Sequence, residues 1–346
     1  MAVQSVLGPV AKEALGIVAP HEHIFIDLSG FFEYHPVKGC ADPINDRVAM
    51  QHLGILSRDP YAMRDNLIMT DPDLQYREIM EFKNAGGTTV VDASSPGIGR
   101  DVRQLRKIAE RTGLHVVVGT GYYVEPTHPA EMAGMTDEEA AAMMIRELTE
   151  GIDGTDIKAG FIGEIGISEN FSDGERKALR ASAIAQRATG VAVEVHINPW
   201  VDSGLEAAQI LLDGGVPANK ICICHSDVRN HKEYIKAMLD MGLYVEFDNF
   251  GKEYYVNPDV RRPGYDIFVK DTDRVALLVE LLAEGYGDRL LLTCDLCLKN
   301  LLHAYGGWGY DHVLTNIVPM MREYGITEAQ IDQMLRVNPA NFFDVP

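Results

Sequence analysis

The stretch Ile17-Val18-Ala19-Pro20-His21-Glu22-His23-Ile24-Phe25 holds two histidines two positions apart, with apolar residues on both sides. This pattern predicts a short buried strand. Because side chains alternate faces along a strand, His21 and His23 should point the same way and Glu22 the opposite way. Two imidazoles on one face are a ready pair of metal ligands, although two core histidines would give the same pattern. The choice depends on whether more ligands occur where this pair would need them.

The composition is that of an ordinary globular protein with an acidic excess. The chain has 346 residues, 46% of them hydrophobic and 24% charged, and its formal net charge is −20. An acidic surface argues against nucleic-acid or anionic-membrane partners. Five cysteines in a chain of this size imply no disulfide framework, and the N-terminal segment has no signal-peptide pattern. We therefore expect a cytoplasmic protein whose partner is a small-molecule substrate.

Downstream of the histidine pair, apolar strand-like segments alternate with helical patterns. Strands are predicted at residues 88–93, 115–119, 159–165, 191–196, 220–225, 243–248 and 289–295, each followed by a helix. Two long irregular stretches interrupt this order. One covers residues 27–70, and the other runs from the end of the strand at 243–248 to residue 270. Together with the histidine strand, eight such units predict a single-domain TIM (β/α)8 barrel over residues 1–346. A doubly wound open sheet is the alternative, but no glycine-rich phosphate fingerprint follows the first strand.

Metal-ligand side chains end five of the eight predicted strands. In a TIM barrel the reacting groups lie at the C-terminal ends of the strands, so these side chains should converge. They are His21, His23, Glu164, His196, His225 and Asp295. Six ligands are too many for one zinc ion and suit two divalent metals that share a bridging carboxylate and a bridging hydroxide. We therefore predict a binuclear centre, with zinc favoured over manganese, cobalt or iron.

The cysteines near these strand ends resemble a metal motif but are predicted to be structural. By strand alternation Ile221 and Ile223 share the face of His225, so Cys222 and Cys224 point toward the helices. Cys294 should also point outward. Cys297 falls in the loop after the last strand and could approach the site. No nucleophilic cysteine is expected, since the metals would supply the nucleophile.

The chain resembles the phosphotriesterase-like family of the amidohydrolase superfamily over essentially its whole length. The resemblance is carried by HEH at 21–23, AGFIGEIG at 159–166, VEVHINP at 193–199, ICHSD at 223–227 and Asp295. Within that family it looks most like the phosphotriesterase-related protein branch, through GTGYYVEPTHP at 119–129 and YGGWGYDHVLTNIVP at 305–319. The resemblance implies a monomeric or homodimeric TIM barrel with a binuclear metal centre.

The resemblance also implies how the ligands divide. His21, His23 and Asp295 would hold one metal, and His196 and His225 would hold the other. The best-known family members bridge the metals with a carboxylated lysine, in a segment where this chain has Gly163. The branch with GEIG uses glutamate instead, so Glu164 is the predicted bridging ligand, one residue out of register.

Hydrolysis is the implied reaction. A bridging hydroxide attacks the substrate, one metal polarises the substrate oxygen, and Asp295 passes a proton toward the leaving group. A small carbonyl ester or lactone, including a sugar or sugar-phosphate lactone, is the first expectation. The alternatives are a small N-acyl amide, a phosphotriester, a metal-dependent isomerisation or decarboxylation and, outside enzymes, a non-catalytic barrel that binds a small molecule.

Loop residues that follow the strands are the candidates for substrate binding. They are Tyr122 with its neighbour Tyr123, and Asp248, Lys252 and Lys299. The lysines could hold an anionic substrate group, and Asp248 could instead orient a metal ligand.

A pair of carboxyl groups is expected beneath the metals. Glu194 lies two residues before His196, and Glu246 lies two residues before Asp248, so both should point into the barrel in the same layer. Two buried carboxylates cannot both ionise cheaply, which predicts a shared proton or a basic partner.

Overall fold

A parallel sheet closed into a barrel is the centre of the computed structural model, which describes residues 2–34, 39–256, 258 and 261–345. The strands are β1 (Ala2–Ser5), β2 (Gly8–Ala11), β3 (Val18–Glu22), β4 (Ile26–Asp27), β5 (Ile68–Met69), β6 (Thr89–Asp92), β7 (His115–Thr120), β8 (Phe161–Ile167), β9 (Val193–Ile197), β10 (Ile221–Ile223), β11 (Tyr244–Phe247) and β12 (Leu290–Leu292). β3 and β6 to β12 lie side by side in chain order, and every hydrogen-bonded pair among them is parallel.

Helices follow the barrel strands and cover the outside of the sheet. They are α1 (Leu53–Leu56), α2 (Pro72–Asn84), α3 (Val102–Thr112), α4 (Asp137–Thr149), α5 (Asp173–Thr189), α6 (Gly204–Asp213), α7 (Lys232–Asp240), α8 (Asp271–Ala283), α9 (Val318–Glu323), α10 (Glu328–Asp332) and α11 (Asn338–Phe343). Two π-helical turns, Val313–Ile317 and Gln333–Val337, directly precede α9 and α11. The eight barrel strands and the helices that follow them occur in the predicted order.

The sheet closes between its first and last strands. Just beyond β12, the Thr293 hydroxyl donates to the Glu22 carboxylate and lies 3.2 Å from the main-chain oxygen of His21. The Glu22 carboxylate also accepts from the main-chain N–H groups of Cys294, at 3.0 Å, and Leu296, at 2.8 Å. These bonds join β12 to β3, and the predicted TIM (β/α)8 barrel is confirmed.

Helix starts follow from local capping groups that are visible in the sequence. The Asp71 side chain accepts from the N–H groups of Asp73 and Leu74, which are among the unpaired donors of the first turn of α2. At the start of α4, Thr136 and Glu139 form a reciprocal capping box. These capping groups therefore fix the residues at which α2 and α4 begin.

An apolar floor fills the N-terminal end of the barrel. Val3 and Val10 from the β1–β2 hairpin join Phe342 and Phe343 of α11 in one buried cluster with inward strand residues. The Phe161 and Phe343 rings meet edge to face, with centroids 5.6 Å apart. The hairpin was not predicted, because its strands are only four residues each. With this end packed by apolar groups, polar chemistry is confined to the opposite end.

The long stretch at 27–70 is more ordered than its sequence suggests, apart from 35–38, which lie outside the described residues. β4 pairs with β5, and the short helix α1 lies within this stretch. Residues 39–66, which we name the cap segment, surround a small apolar core of their own: Cys40, Val48, Leu56, Ala62 and Met63. The Asn66 side chain donates to Asn300 Oδ1 at 2.8 Å and fixes the segment to the loop after β12.

The longest of the described helices, α5, has 17 residues. Among the residues that the structure describes, no helix combines the length and the apolar character needed to traverse a bilayer.

Candidate metal centre

A bulge turns the histidine pair toward the inside of the barrel. Val18 points into the barrel floor, so unbroken alternation along β3 would turn Glu22 inward and His21 outward. The ladder between β3 and β6 shifts by one residue between Ala19 and Glu22. The extra residue reverses the alternation, and His21 and His23 face inward while Glu22 faces the β12 seam. The predicted orientation of these three side chains is confirmed.

A second bulge brings Glu164 into the cluster. Phe161 points into the floor, so simple alternation along β8 would give the next inward position to Gly163. The ladder between β8 and β9 shifts by one residue between Ile162 and Ile165. The bulge transfers the inward position to Glu164, which is buried. This shift gives a physical reason for the one-residue offset that the resemblance implies for Glu164.

His225, two residues after the end of β10, reaches the cluster through a left-handed backbone conformation with φ at 57°. Cys222 packs in the barrel floor, and Cys224 Sγ lies within 4.8 Å of ligand atoms of His21 and Glu246. The prediction that Cys222 and Cys224 point toward the helices is therefore wrong. It counted alternation back from His225, and the left-handed residue breaks that alternation.

The other two cysteines behave as expected. Cys294 packs with the helices outside the sheet. Cys297 is partly exposed and lies near Lys252 and Asp295. Burial and the Asp295 charge raise the pKa of the Cys297 thiol to about 12, so it is a protonated thiol at the mouth of the barrel and not a nucleophile.

The Glu164 carboxylate lies between two pairs of histidines. Its Oε1 is 3.4 Å from His23 Nε2, and its Oε2 is 3.6 Å from His21 Nε2. The same Oε2 is 3.2 Å from His196 Nδ1 and 3.7 Å from His225 Nε2. Burial opposes ionisation, but the surrounding histidines hold the pKa of Glu164 well below its usual range. One carboxylate therefore faces imidazoles from three strands.

Asp295 completes the cluster from the end of β12. Its Oδ1 is 3.2 Å from His23 Nε2 and 3.8 Å from His21 Nε2. Its Oδ2 accepts from the Lys252 ammonium, and both side chains are buried. Burial would raise the pKa of Asp295, but the Lys252 charge and the hydrogen bond with His23 lower it below its usual range. Asp295 is therefore an ionised carboxylate next to two imidazoles.

The arrangement of buried polar atoms fits bound cations. Both ring nitrogens of His21 and Oε2 of Glu164 are buried without a hydrogen-bond partner in the part of the chain that the structure describes. Ligand atoms of His21, His23 and Asp295 lie within 4.8 Å of one another, as do those of His21, Glu164 and His225. Imidazole nitrogen and carboxylate oxygen are the donors that zinc and similar divalent ions take. A cation would supply the missing partners.

Groups behind the cluster orient its imidazoles. His23 Nδ1 lies 2.9 Å from Ser94 Oγ, and that hydroxyl donates to the Phe25 carbonyl. Asp248 accepts from both His225 Nδ1, at 3.0 Å, and the His225 main-chain N–H, at 2.8 Å. Of the two roles predicted for Asp248, the structure therefore shows contact with a histidine of the cluster. In both cases the Nδ1 bond leaves Nε2 directed at the cluster.

The predicted carboxyl pair lies beneath His21. Glu194 and Glu246 are fully buried, and His21 Nδ1 is 3.3 Å from Glu246 Oε2 and 3.9 Å from Glu194 Oε2. Burial and the neighbouring Glu246 charge raise the pKa of Glu194 well above its usual value. The expected inward orientation is confirmed, and the basic partner is His21.

The tyrosine that reaches the cluster is Tyr123, whereas Tyr122, the predicted substrate-binding residue, does not. Tyr123 OH lies 3.3 Å from His196 Nε2, and the two ring centroids are 4.7 Å apart. Tyr122 instead packs in the core, and its hydroxyl donates to the Ala140 carbonyl on α4 at 3.1 Å. Two adjacent tyrosines on an extended loop point to opposite sides, and the sequence does not show which side faces the site.

The two lysines have different surroundings. Lys252 is buried against Asp295, and the Asp295 charge outweighs burial to raise the pKa of Lys252 well above its usual value. Lys299 does not reach the cluster, because its ammonium donates to Asp65 Oδ1 at 2.7 Å. Asp65 also binds Arg47, so Lys299 serves to fasten the cap segment to the barrel.

Asp227 and Asp271, which sequence reasoning missed, anchor the loop that carries Lys252. Arg274 on α8 is fully buried and donates to Asp227 Oδ2 and Asp271 Oδ1, both at 2.9 Å. Arg274 also donates to the Lys252 carbonyl at 3.2 Å, and Asp271 accepts from the Gly251 N–H at 3.1 Å. The fully buried arginine fixes the main chain on both sides of Lys252.

A TIM barrel with imidazoles and carboxylates gathered at the C-terminal ends of its strands defines a metal-dependent hydrolase. The chain belongs to the phosphotriesterase family, whose family profile matches residues 1–343. This membership agrees with the resemblance seen in the sequence motifs.

Individual relatives match along nearly the full chain. The N-acetyltaurine hydrolase of Rattus norvegicus is 37% identical over 344 residues, which cover 97% of this chain and 96% of that protein. A resiniferatoxin-binding protein from Rhodobacter sphaeroides has a TM-score of 0.95 at 30% identity and covers 99% of this chain and 95% of that one. The phosphotriesterase homology protein from Escherichia coli, solved with phosphate in its active site, has a TM-score of 0.79 at 30% identity, covering 96% of this chain and 99% of that one.

Proposed function

We propose that this protein is an amidase that hydrolyses a small N-acyl amide whose amine part carries an anionic group. The observation that carries the proposal is the position of Glu164, whose carboxylate lies within 3.7 Å of ring nitrogens from all four histidines of the cluster. The class of substrate is supported by the N-acetyltaurine hydrolases, which match this chain at 36–37% identity. N-acetyltaurine is an acetamide whose amine part ends in a sulfonate.

Two divalent cations fit the cluster, with zinc favoured because the donors are nitrogen and oxygen. In the division that we propose, His21, His23 and Asp295 hold one ion, and His196 and His225 hold the other. Glu164 lies between the two sets. When bound, such ions lower the pKa of water and polarise a carbonyl oxygen.

The chain's own residues handle the proton and the leaving amine. Asp295, ionised and facing the cluster, accepts the proton of the attacking water and delivers it to the amine nitrogen as the C–N bond breaks. Lys252 supplies positive charge next to Asp295, and we assign it to the anionic group of the amine part. Tyr123 OH, beside His196, lies where it can donate to the acyl oxygen.

Esters and lactones, preferred on sequence grounds, stay a prediction. The names of the relatives favour the amide alternative, and a lactone offers no amine part for Lys252 to bind. A phosphotriester is a third candidate, since the chain shares its family with phosphotriesterase homologues. All three reactions use the same cluster, so only substrate preference separates them.

A substrate panel on the purified, metal-analysed protein tests the proposal. It pairs N-acetyltaurine and other N-acetyl amino acids with an N-acetyl neutral amine, a lactone series and an aryl phosphotriester. We expect the highest kcat/KM for an acidic N-acyl amide, and we expect Asp295→Asn to lose at least ~100-fold in kcat. A higher kcat/KM on lactones or phosphotriesters would contradict the amidase assignment, and a metal content near zero in active protein would contradict the metal centre.

A further inference from the structure

A second cluster of metal-ligand side chains lies in the cap segment, away from the strand ends. Cys40, Asp46 and His52 each place one ligand atom so that all three lie within 4.8 Å of one another. Cys40 and His52 are buried, and Asp46 is partly exposed. No residue of this group belongs to the cluster around Glu164.

His52 gives this group a feature that ordinary packing does not explain. The His52 side chain is 5% exposed, and its Nδ1 is buried with no hydrogen-bond partner in the described residues. A buried polar nitrogen without a partner destabilises the fold unless a group outside the described residues binds it. The neighbouring thiol does not do so, because Cys40 Sγ donates to Asp46 Oδ2 at 3.6 Å.

We infer that Cys40, Asp46 and His52 form a structural metal site for a zinc-type divalent ion. Thiolate, imidazole and carboxylate are the three kinds of side chain that zinc takes in proteins. Binding would replace the Cys40–Asp46 hydrogen bond, and the thiol proton would leave to solvent as the thiolate joins the ion. The partly exposed side of Asp46 leaves room for water as a fourth ligand.

The cap segment is a part of the fold that such an ion would stabilise. It has one four-residue α-helix and an apolar core of five residues, so few contacts oppose its conformational entropy. An ion would tie its start, at Cys40, to the turn that precedes α1, at His52. The same segment carries Tyr61, whose hydroxyl is within electrostatic range of Lys252 and Asp295 at the barrel mouth. A bound ion would therefore help to hold Tyr61 in place beside the open end of the barrel.

Cobalt substitution of the full chain tests this inference without relying on activity. Thiolate bound to Co²⁺ gives an intense near-ultraviolet charge-transfer band, which imidazole and carboxylate ligands do not give. We expect the band in the cobalt-loaded wild type and in Cys297→Ser, which removes the partly exposed thiol at the barrel mouth. We expect Cys40→Ser to lose the band and one metal ion per chain. A band that persists in Cys40→Ser, or that is missing from the wild type, would overturn the site.

Alkylation provides a second measurement, and its first comparison uses only the wild-type protein. The rate at which iodoacetamide modifies the Cys40 peptide should fall when stripped protein is reloaded with zinc. His52→Ala removes one ligand of the site formed by Cys40, Asp46 and His52 and leaves the barrel cluster intact. This variant should lose the protection. Equal rates in stripped and loaded wild type would show that zinc does not bind Cys40. Equal protection in wild type and His52→Ala would show that His52 is not a ligand. Either result would overturn the site. Neither result depends on the amidase proposal.

Discussion

His23 Nδ1 lies 2.9 Å from Ser94 Oγ, and Ser94 in turn donates its proton to the Phe25 carbonyl. The hydroxyl can therefore only accept from His23, so Nδ1 carries a proton and Nε2 is the nitrogen left to bind a cation or a second proton. That nitrogen is the one that faces Glu164 and Asp295. Burial opposes a charge on this ring, but the two carboxylates raise the pKa of His23 to about 10. The cluster without ions thus attracts positive charge strongly.

Ser94→Ala removes the acceptor that orients His23, and we expect metal affinity to fall by roughly 10–100-fold. Competition of the loaded protein against a chelator measures this change. Ser95→Ala is the matched control, because Ser95 is equally buried but its hydroxyl has no partner in the described residues. Equal affinities for the two variants would show that the Ser94 hydroxyl does not tune the centre.

Glu194 and Glu246 offer a comparison between two buried carboxyls near one imidazole. Glu246 is the nearer to His21 Nδ1, at 3.3 Å against 3.9 Å. Glu246→Gln should weaken metal binding by about 10–100-fold, because it removes the charge that supports His21 as a ligand. Glu194→Gln should leave metal binding nearly unchanged, since the raised pKa of Glu194 already favours a neutral group there. Isothermal titration of stripped protein measures both, and the reverse order would contradict this assignment.

Lys252→Met should lower kcat/KM for an acidic N-acyl amide by about 10–100-fold more than for a neutral one, as expected when a charge-assisted contact to the anionic group is lost. Lys299→Met is the control, since Lys299 binds Asp65 and not the cluster. It should leave the ratio between the two substrates unchanged. If Lys252→Met has the same ratio of kcat/KM values for the acidic and the neutral amide as the wild type, Lys252 does not take part in substrate recognition.

Gly163→Ala tests the bulge that presents Glu164. A Cβ at this position would lie 2.7 Å from Phe161 Cε2 and 2.9 Å from Glu194 Cβ, and Gly163 has a φ of 155°. We expect a loss of about 1–3 kcal/mol in unfolding free energy together with weaker metal retention. Gly134→Ala is the control, because no atom of the described residues lies within 4 Å of a Cβ added there. Chemical denaturation measures the free energy, and an unchanged Gly163→Ala protein would contradict this close packing.

The lowered pKa of Asp271 predicts how the stability of the protein changes at low pH. Burial opposes its ionisation, but His312 and Arg274 lower the pKa of Asp271 below its usual value. Its contribution to stability is therefore complete above the unfolded pKa of about 3.9 and is lost as the pH falls through the lower folded value. Urea unfolding below about pH 4 should show a flatter pH dependence in Asp271→Asn than in the wild type. Equal slopes for Asp271→Asn and the wild type would contradict the shift.

The membership of the cluster could be predicted because parallel barrel strands end on the same side of the sheet. That rule brought His21, Glu164, His196, His225 and Asp295 together without any knowledge of contacts. It depends only on where each strand stops, which apolar runs and turn residues show directly. Glu194 and Glu246 followed from the same rule by counting two residues back along strands that keep strict alternation.

Orientation was harder to predict wherever the backbone departs from alternation. The bulges in β3 and β8 depend on cross-strand pairing, and the left-handed His225 depends on its bonds to Asp248. None of these has a local sequence signal, which is why Cys222 and Cys224 were assigned to the wrong face. Lys299 was misplaced for a related reason, because its partner Asp65 is 234 positions away in the chain.

The seam at which Glu22 accepts from Thr293, Cys294 and Leu296 has a consequence for biosynthesis. The paired segments are more than 270 positions apart, so nearly the whole chain must leave the ribosome before the barrel can close. Asp295 emerges with that same segment. A nascent or C-terminally clipped chain therefore carries the histidine pair but not its carboxylate counterpart, and hydrolytic competence comes only with the last strand.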